Sequence, residues 1–255
     1  MSTHLRPALA DLLAYLGEMG YGDLYLRSDP RSSGTATAAA APPRSLPTRP
    51  TVPTVPTAPP APLDQEAAAR VAELAALAGV AAGCTRCRLA EGRNKVVFGS
   101  GNPNAGLMFI GEGPGAEEDR QGLPFVGAAG ELLTRMIQAI EMTRDEVYIA
   151  NVVKCRPPGN RDPQPDEIAA CRGYLEKQIA LVRPRAIVAL GKVAAQTLLG
   201  NDSPIGRMRG QWFQVQGIPA MVTYHPAALL RNQALKRPTW EDLQQVRDLL
   251  RAGSL

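Results

Sequence analysis

Four short apolar runs punctuate the chain: "LMFIG" (107–111), "EVYIAN" (146–151), "AIVALG" (186–191) and "PAMVTY" (219–224). Between them lie stretches with helical character, at 129–142, 165–182 and 192–200. Strands that alternate with helices argue for a mostly parallel sheet covered on both faces. Pro165 suits the first turn of its helix, where the missing N–H costs nothing. "WFQVQ" (212–216) and "PAMVTY" read as a hairpin-like return or an edge pair, and "TWEDLQQVRDLLRAG" (239–253) as a closing helix with Thr239 as N-cap. The expected architecture is three-layer α/β/α with a central, mostly parallel, four-stranded sheet. In such folds ligands sit beyond the carboxyl ends of the strands. Here those ends are Gly111–Gly115, Asn151, Gly191 and His225.

The alternation begins only after residue 63. Residues 31–63 are mostly Pro, Ala, Thr, Ser and Arg, as in "TVPTVPTAPPAPL". With almost no large apolar side chains they cannot offset their ordering entropy, and their prolines favour an extended linker. Residues 1–30 form a separate segment. Within it Leu5, Leu9, Leu12, Leu13, Leu16 and Met19 fall near one helical face, which reads as a helix docked on the main domain or as a partner-binding helix on a tether. Residues 64–255 are the expected main domain, opening with a helix from Asp64 to about Gly79.

The net charge of +4 suits a nucleic-acid partner without establishing one. No apolar run is long enough for a membrane helix. The N-terminus lacks a secretory pattern, and Asp11, Glu18 and Asp23 argue against a transit peptide. The cytoplasm is the expected compartment, where cysteines serve as metal ligands more often than as disulfides.

Cys84 and Cys87 form a C-x2-C clip, and Cys155 and Cys171 follow as singles. Four thiolates suit either Zn²⁺ or a cubane iron–sulfur cluster, and the spacing alone does not separate the two. "GEGPGAEED" (111–119) starts where the first run ends. Its glycines let a ligand approach the backbone, but the spacing is not that of a dinucleotide loop, and no helix is expected directly after it. Glu112, Glu117, Glu118 and Asp119 oppose phosphate there, so the loop suits a neutral planar ligand held by backbone N–H groups. Phe125, one of four phenylalanines, follows in "GLPFVGAAG" and offers a stacking face. His225 is one of two histidines. Alone it reads as a core residue, a metal ligand or a catalyst.

Taken together and in order, the cysteine set, "GEGPGAEEDRQGLPFVG", "NVVKCRPPGNRDP" and "HPAALLRN" resemble the family 4 uracil-DNA glycosylases, the iron–sulfur type of bacteria and archaea. The resemblance spans roughly residues 71–252. It implies the fold of that family and a 4Fe–4S cluster on Cys84, Cys87, Cys155 and Cys171. It implies a DNA-repair reaction in which uracil is flipped from single- or double-stranded DNA and released. Gly111, Glu112 and Gly113 would form one pocket wall, with a backbone N–H near Glu112 aimed at the base. Phe125 would stack on the base, Asn151 would read its edge, and His225 would sit at uracil O2 as the catalytic donor. Glu118 would fill the space of a thymine methyl or position water. Leu229 and Leu230 would wedge into the vacated stack, and Arg231 would contact phosphate or the orphaned base. Arg156, Arg161, Arg207, Arg209, Lys236 and Arg237 are further candidates for phosphate contact. The chain is expected to act as a monomer.

Three rivals stand beside this reading. One is a covalent uracil binder, disfavoured because no histidine lies between Asn151 and His225. Another is a non-catalytic iron–sulfur DNA-binding module, docked through residues 1–30 to a protein partner. The third, a nucleotide-binding enzyme, is opposed by the acidic loop.

Overall fold

The structure, a computed structural model, describes residues 62–252. The expected helix at 5–19 and most of the 31–63 linker lie outside the described residues. The linker's last two positions already belong to helix α1 (Pro62–Ala82), which starts earlier and ends later than expected.

A six-stranded sheet forms the centre. Its strands are β1 (Ser100–Gly101), β2 (Leu107–Gly111), β3 (Tyr148–Asn151), β4 (Ala186–Leu190), β5 (Trp212–Val215) and β6 (Ile218–Thr223), in the order β1-β3-β2-β4-β6-β5. The four inner strands are parallel, and β1 and β5 flank them antiparallel. The expected four-stranded parallel core is therefore present. The return at 212–224 is a β5–β6 hairpin, and the two-residue β1 is an addition that no apolar run announces.

The strands alternate sides with period two. Met108, Ile110, Ala150, Ile187, Ala189, Ala220 and Val222 face one core, with Leu74 of α1, Leu175 and Ile179 of α5 (Pro165–Val182) and Ala194 of α6 (Lys192–Leu199). Leu107, Phe109, Ile149, Val188, Leu190 and Met221 face the other. That face is covered by Leu132, Leu133, Met136 and Ile137 of the helix Ala128–Ala139 and by Trp240, Leu243 and Val246 of the helix Lys236–Ala252.

Two local expectations are overturned. A helix, Ala116–Gln121, does open directly after the glycine loop, with Gly115 as its N-cap residue. Glu117, Glu118 and Asp119 occupy its first turn, where the helix dipole favours negative charge. Thr239 does not cap the closing helix, which already begins at Lys236. Its hydroxyl donates instead to the Leu235 carbonyl at 2.8 Å, and Asn232 caps the short 3-10 turn that feeds the helix. Pro238 is tolerated because it falls in the first turn.

The chain runs from β2 out to β3 and then returns to β4 on the opposite side of β2, so the topological switch point lies at the carboxyl end of β2. Register aligns Gly111 with Asn151 across β2–β3, and Leu190 with Thr223 across β4–β6, two residues before His225. All four anticipated strand ends therefore reach the same edge of the sheet.

Candidate active site

At that edge lies a cleft of about 550 Å³, lined among others by Glu112, Gly113, Glu118, Phe125, Asn151, His225 and Arg231. Gly111, which ends β2 and was expected in the pocket wall, does not line the cleft itself and acts through what it lacks. A Cβ there would stand 2.5 Å from Asn151 Oδ1 and 2.5 Å from Phe125 Cζ. Only glycine lets the carboxamide and the ring close in over the strand end. Gly113 similarly leaves room for the Val153 side chain, 2.8 Å from the position of an added Cβ.

Asn151 is buried at 1% exposure, and its Oδ1 accepts no hydrogen bond. A buried acceptor without a partner costs about 1–3 kcal/mol, so the atom is set for a donor that arrives with a ligand.

His225 caps the short helix Pro226–Arg231. Its Nδ1 accepts the Ala227 N–H at 3.1 Å, so in the neutral ring the proton sits on Nε2. Burial pushes its pKa down to about 4, the Arg231 charge adds to the fall, and Glu118 opposes it. A neutral imidazole therefore offers one N–H. Its ring lies 5.5 Å from that of Phe125, tilted by 32°. Gly191 permits the close approach, since a Cβ on it would meet His225 Cβ at 2.9 Å.

Phe125 adopts φ +53°, an uncommon conformation for a bulky residue. Its neighbours hold it there. Glu118 Oε1 accepts the N–H groups of Val126 and Gly127 at 2.9 and 3.0 Å. Arg144 donates to the Pro124 carbonyl at 2.9 Å and to Thr134 Oγ1 at 3.3 Å. Gly130 packs against the Phe125 backbone so closely that a Cβ would lie 2.0 Å from its carbonyl. Strain of this kind persists where surroundings over-determine it, commonly at binding sites.

Glu112 is half-buried in the cleft. Burial pushes its pKa up to about 7, Asp162 adds to the rise, and Lys192 opposes it.

The segment after the His-Pro pair divides. Leu229 is buried in the core at 1% exposure and cannot serve as a wedge, because the Pro226–Arg231 helix turns it inward. Leu230 is 45% exposed and Arg231 stands at the cleft. Among the basic candidates, Arg209 is committed to buried Asp242 and the Pro238 carbonyl, and Lys236 is buried. Arg161 lines the cleft while pairing with Glu167 at 2.7 Å, and Arg237 pairs with Glu241.

Cys84, Cys87, Cys155 and Cys171 are free thiols that line one cavity behind β3. Arg93 donates to Cys155 Sγ and the Lys154 N–H to Cys171 Sγ, each at 3.3 Å. Burial pushes the Cys155 and Cys171 thiols up. Such sulfurs are poor thiolates by themselves and become anionic when a cation binds them. The donor set therefore fits a metal group held by four sulfurs. Among the described residues no three His, Cys, Asp or Glu side chains converge tightly enough for a single metal ion.

Sequence reasoning missed Arg144, Gly130 and Lys154 as supports of the site, and named Gly191 only as a strand end. Arg144 meets Pro124 and Lys154 meets Gln178 from well along the chain, and no local pattern announces any of the three.

The uracil DNA glycosylase superfamily profile matches residues 98–244. A type-4 uracil-DNA glycosylase of Sulfurisphaera tokodaii is 46% identical over 175 residues, 65% of this chain and 80% of that protein. One from Thermotoga maritima is 44% identical over 174 residues, 66% of this chain and 90% of that protein. A type-5 uracil-DNA glycosylase of Pyrobaculum aerophilum is 32% identical over 163 residues, 57% of this chain and 71% of that protein.

Proposed function

This chain belongs to the uracil DNA glycosylase superfamily, in its type-4 branch, and on that premise we propose that the strand-end cleft takes up a uracil flipped from DNA and hydrolyses its N-glycosidic bond. The observation that carries the residue assignment is the partnerless Oδ1 of Asn151, buried beside a strained aromatic ring and a neutral histidine.

A base inside a stacked duplex is out of reach, and flipping it costs a few kcal/mol. Stacking on Phe125 returns about 1–3 kcal/mol. Asn151 Oδ1 accepts from uracil N3–H, and its amide donates to O4. Cytosine presents an acceptor where uracil presents a donor, so it leaves Oδ1 unpaired and is rejected. The missing side chain of Gly111 lets Asn151 and Phe125 close in together on the base.

Bond breaking moves the electron pair of the N1–C1′ bond onto uracil, and the sugar gains oxocarbenium character. Charge grows on O2, and the His225 Nε2–H donates there. One such donor, fixed before the reaction, is worth about 10²–10³ in rate. The water oxygen then bonds to C1′, and Glu112, a carboxylate that lines the cleft, takes the water's proton in this reading. Its raised pKa suits a general base working near neutrality. Glu118 acts through its grip on the loop that carries Phe125. Leu230 and Arg231 at the rim are the DNA-facing pair, the leucine filling the vacated stack and the arginine meeting phosphate.

Cys84, Cys87, Cys155 and Cys171 would hold a 4Fe–4S cluster, which supplies a covalent tie among the α1 end, β3 and α5 segments. A zinc would need its four sulfurs about 2.3 Å from one point. The four thiols line one cavity and supply the four sulfurs that either group takes, and the resemblance to the iron–sulfur glycosylases favours the cluster. No helix among the described residues is long and apolar enough to cross a membrane.

The test is uracil release from an oligonucleotide with a single uracil, in single- and double-stranded form. Multiple turnovers that leave abasic sites uphold the reading. Tight binding without release would instead make the chain a uracil-binding module.

A further inference from the structure

Lys154 lines the cysteine cavity, and its side chain reaches back to the end of β3. It is three residues after Asn151, directly before Cys155, and 2% exposed. Its ammonium donates to the Asn151 carbonyl at 2.7 Å and to Gln178 Oε1 at 2.5 Å. Gln178 is buried too, and its amide donates to the Phe98 carbonyl at 2.8 Å and to the Tyr148 hydroxyl at 3.2 Å. The Lys154 carbonyl accepts the Val97 N–H at 2.8 Å, and its own N–H donates to Cys171 Sγ. Lys154 is thus held from every side.

No carboxylate among the described residues pairs with this ammonium. An isolated buried cation costs several kcal/mol, and neutral carbonyl acceptors offset only part of that. The groups within reach that turn anionic when a metal group binds are the cysteine sulfurs, since Lys154 lines their cavity together with all four. A four-thiolate metal group carries net negative charge and supplies what the carboxylates do not.

We propose that Lys154 is a positioning residue with two roles: it is the buried counter-charge of the thiolate set, and it props the end of β3 so that Asn151 meets the base. The cysteine cavity is then tied to base reading through one side chain. This inference rests on the glycosylase reading and on the cluster assignment.

The test is Lys154→Met on the full iron-loaded chain, with two readouts. One is the reduction potential of the bound group. The other is affinity for an oligonucleotide carrying one 2′-fluoro-2′-deoxyuridine, which resists cleavage, against the same oligonucleotide with cytosine there. The potential falls, because a nearby cation no longer favours the added electron. The uracil-over-cytosine preference drops about tenfold, as for other residues that orient a functional group, with binding of the cytosine oligonucleotide unchanged. Movement of only one readout, or of neither, overturns the inference. If Lys154→Met gives no soluble protein, Gln178→Leu decides, because it removes one anchor and keeps the charge. A reduced preference with an unmoved potential then upholds the inference, and an unchanged preference overturns it. A wild type that carries zinc sinks the cluster assignment, whereas an iron-loaded wild type beside an unmoved Lys154→Met potential sinks the inference alone.

Discussion

Gly111→Ala isolates the convergence of base-reading groups from the stability of the fold. Gly111 ends a central, fully buried strand, and its φ is not in the left-handed region, so the backbone accepts alanine. Space is what objects. The new methyl would lie 2.5 Å from Asn151 Oδ1 and 2.5 and 2.8 Å from two Phe125 ring carbons, against ordinary contact from 3.4 Å. Carboxamide and ring must each retreat by about 1 Å, and a misplacement of that size costs about 10²-fold in rate. That equals about 2.7 kcal/mol of transition-state stabilisation. Overpacking costs about 1–3 kcal/mol of stability, which a folded domain of this size survives. Single-turnover uracil release measures the first quantity and thermal unfolding the second. A folded variant whose release rate stays within a few-fold of wild type would refute the claim that Asn151 and Phe125 act together over Gly111.

Other outcomes follow from the same geometry. Asn151→Asp replaces the donating amide with an acceptor, so the uracil-over-cytosine preference collapses; competition between single-uracil and matched cytosine oligonucleotides measures it. The pH–rate profile rises through about 7 as Glu112 ionises and has no inflection near 6.5, because His225 is already neutral down to about 4. Glu112→Gln removes the rising limb, and a limb that survives assigns water activation elsewhere. Cys155→Ala yields protein without visible absorbance and with a lowered unfolding temperature. A coloured, iron-loaded variant would show that the four-sulfur assignment is wrong.

Much of the scaffold was legible because burial on both faces writes itself into a parallel strand as a continuous apolar run. The 107–111 and 186–190 segments are of this kind, and the residues that directly follow them, Glu112 and Gly191, line the cleft. Short elements were not legible. The six-residue helix after Gly115 has no apolar stripe to reveal it, and β1 is two residues long. Neither were choices between neighbours: Leu229 and Leu230 are the same residue type, and only the rotation of their helix sends one inward and the other to solvent. The supports of the site were hidden for a third reason. Arg144 reaches Pro124 and Lys154 reaches Gln178 across long stretches of chain, so nothing near either residue signals its partner.

The account turns on His225 offering its proton to a departing uracil. The direct measurement is the single-turnover rate of uracil release by His225→Ala, beside its affinity for the same oligonucleotide. The account predicts a rate lower by about 10²–10³-fold with affinity little changed. A rate within a few-fold of wild type would contradict it.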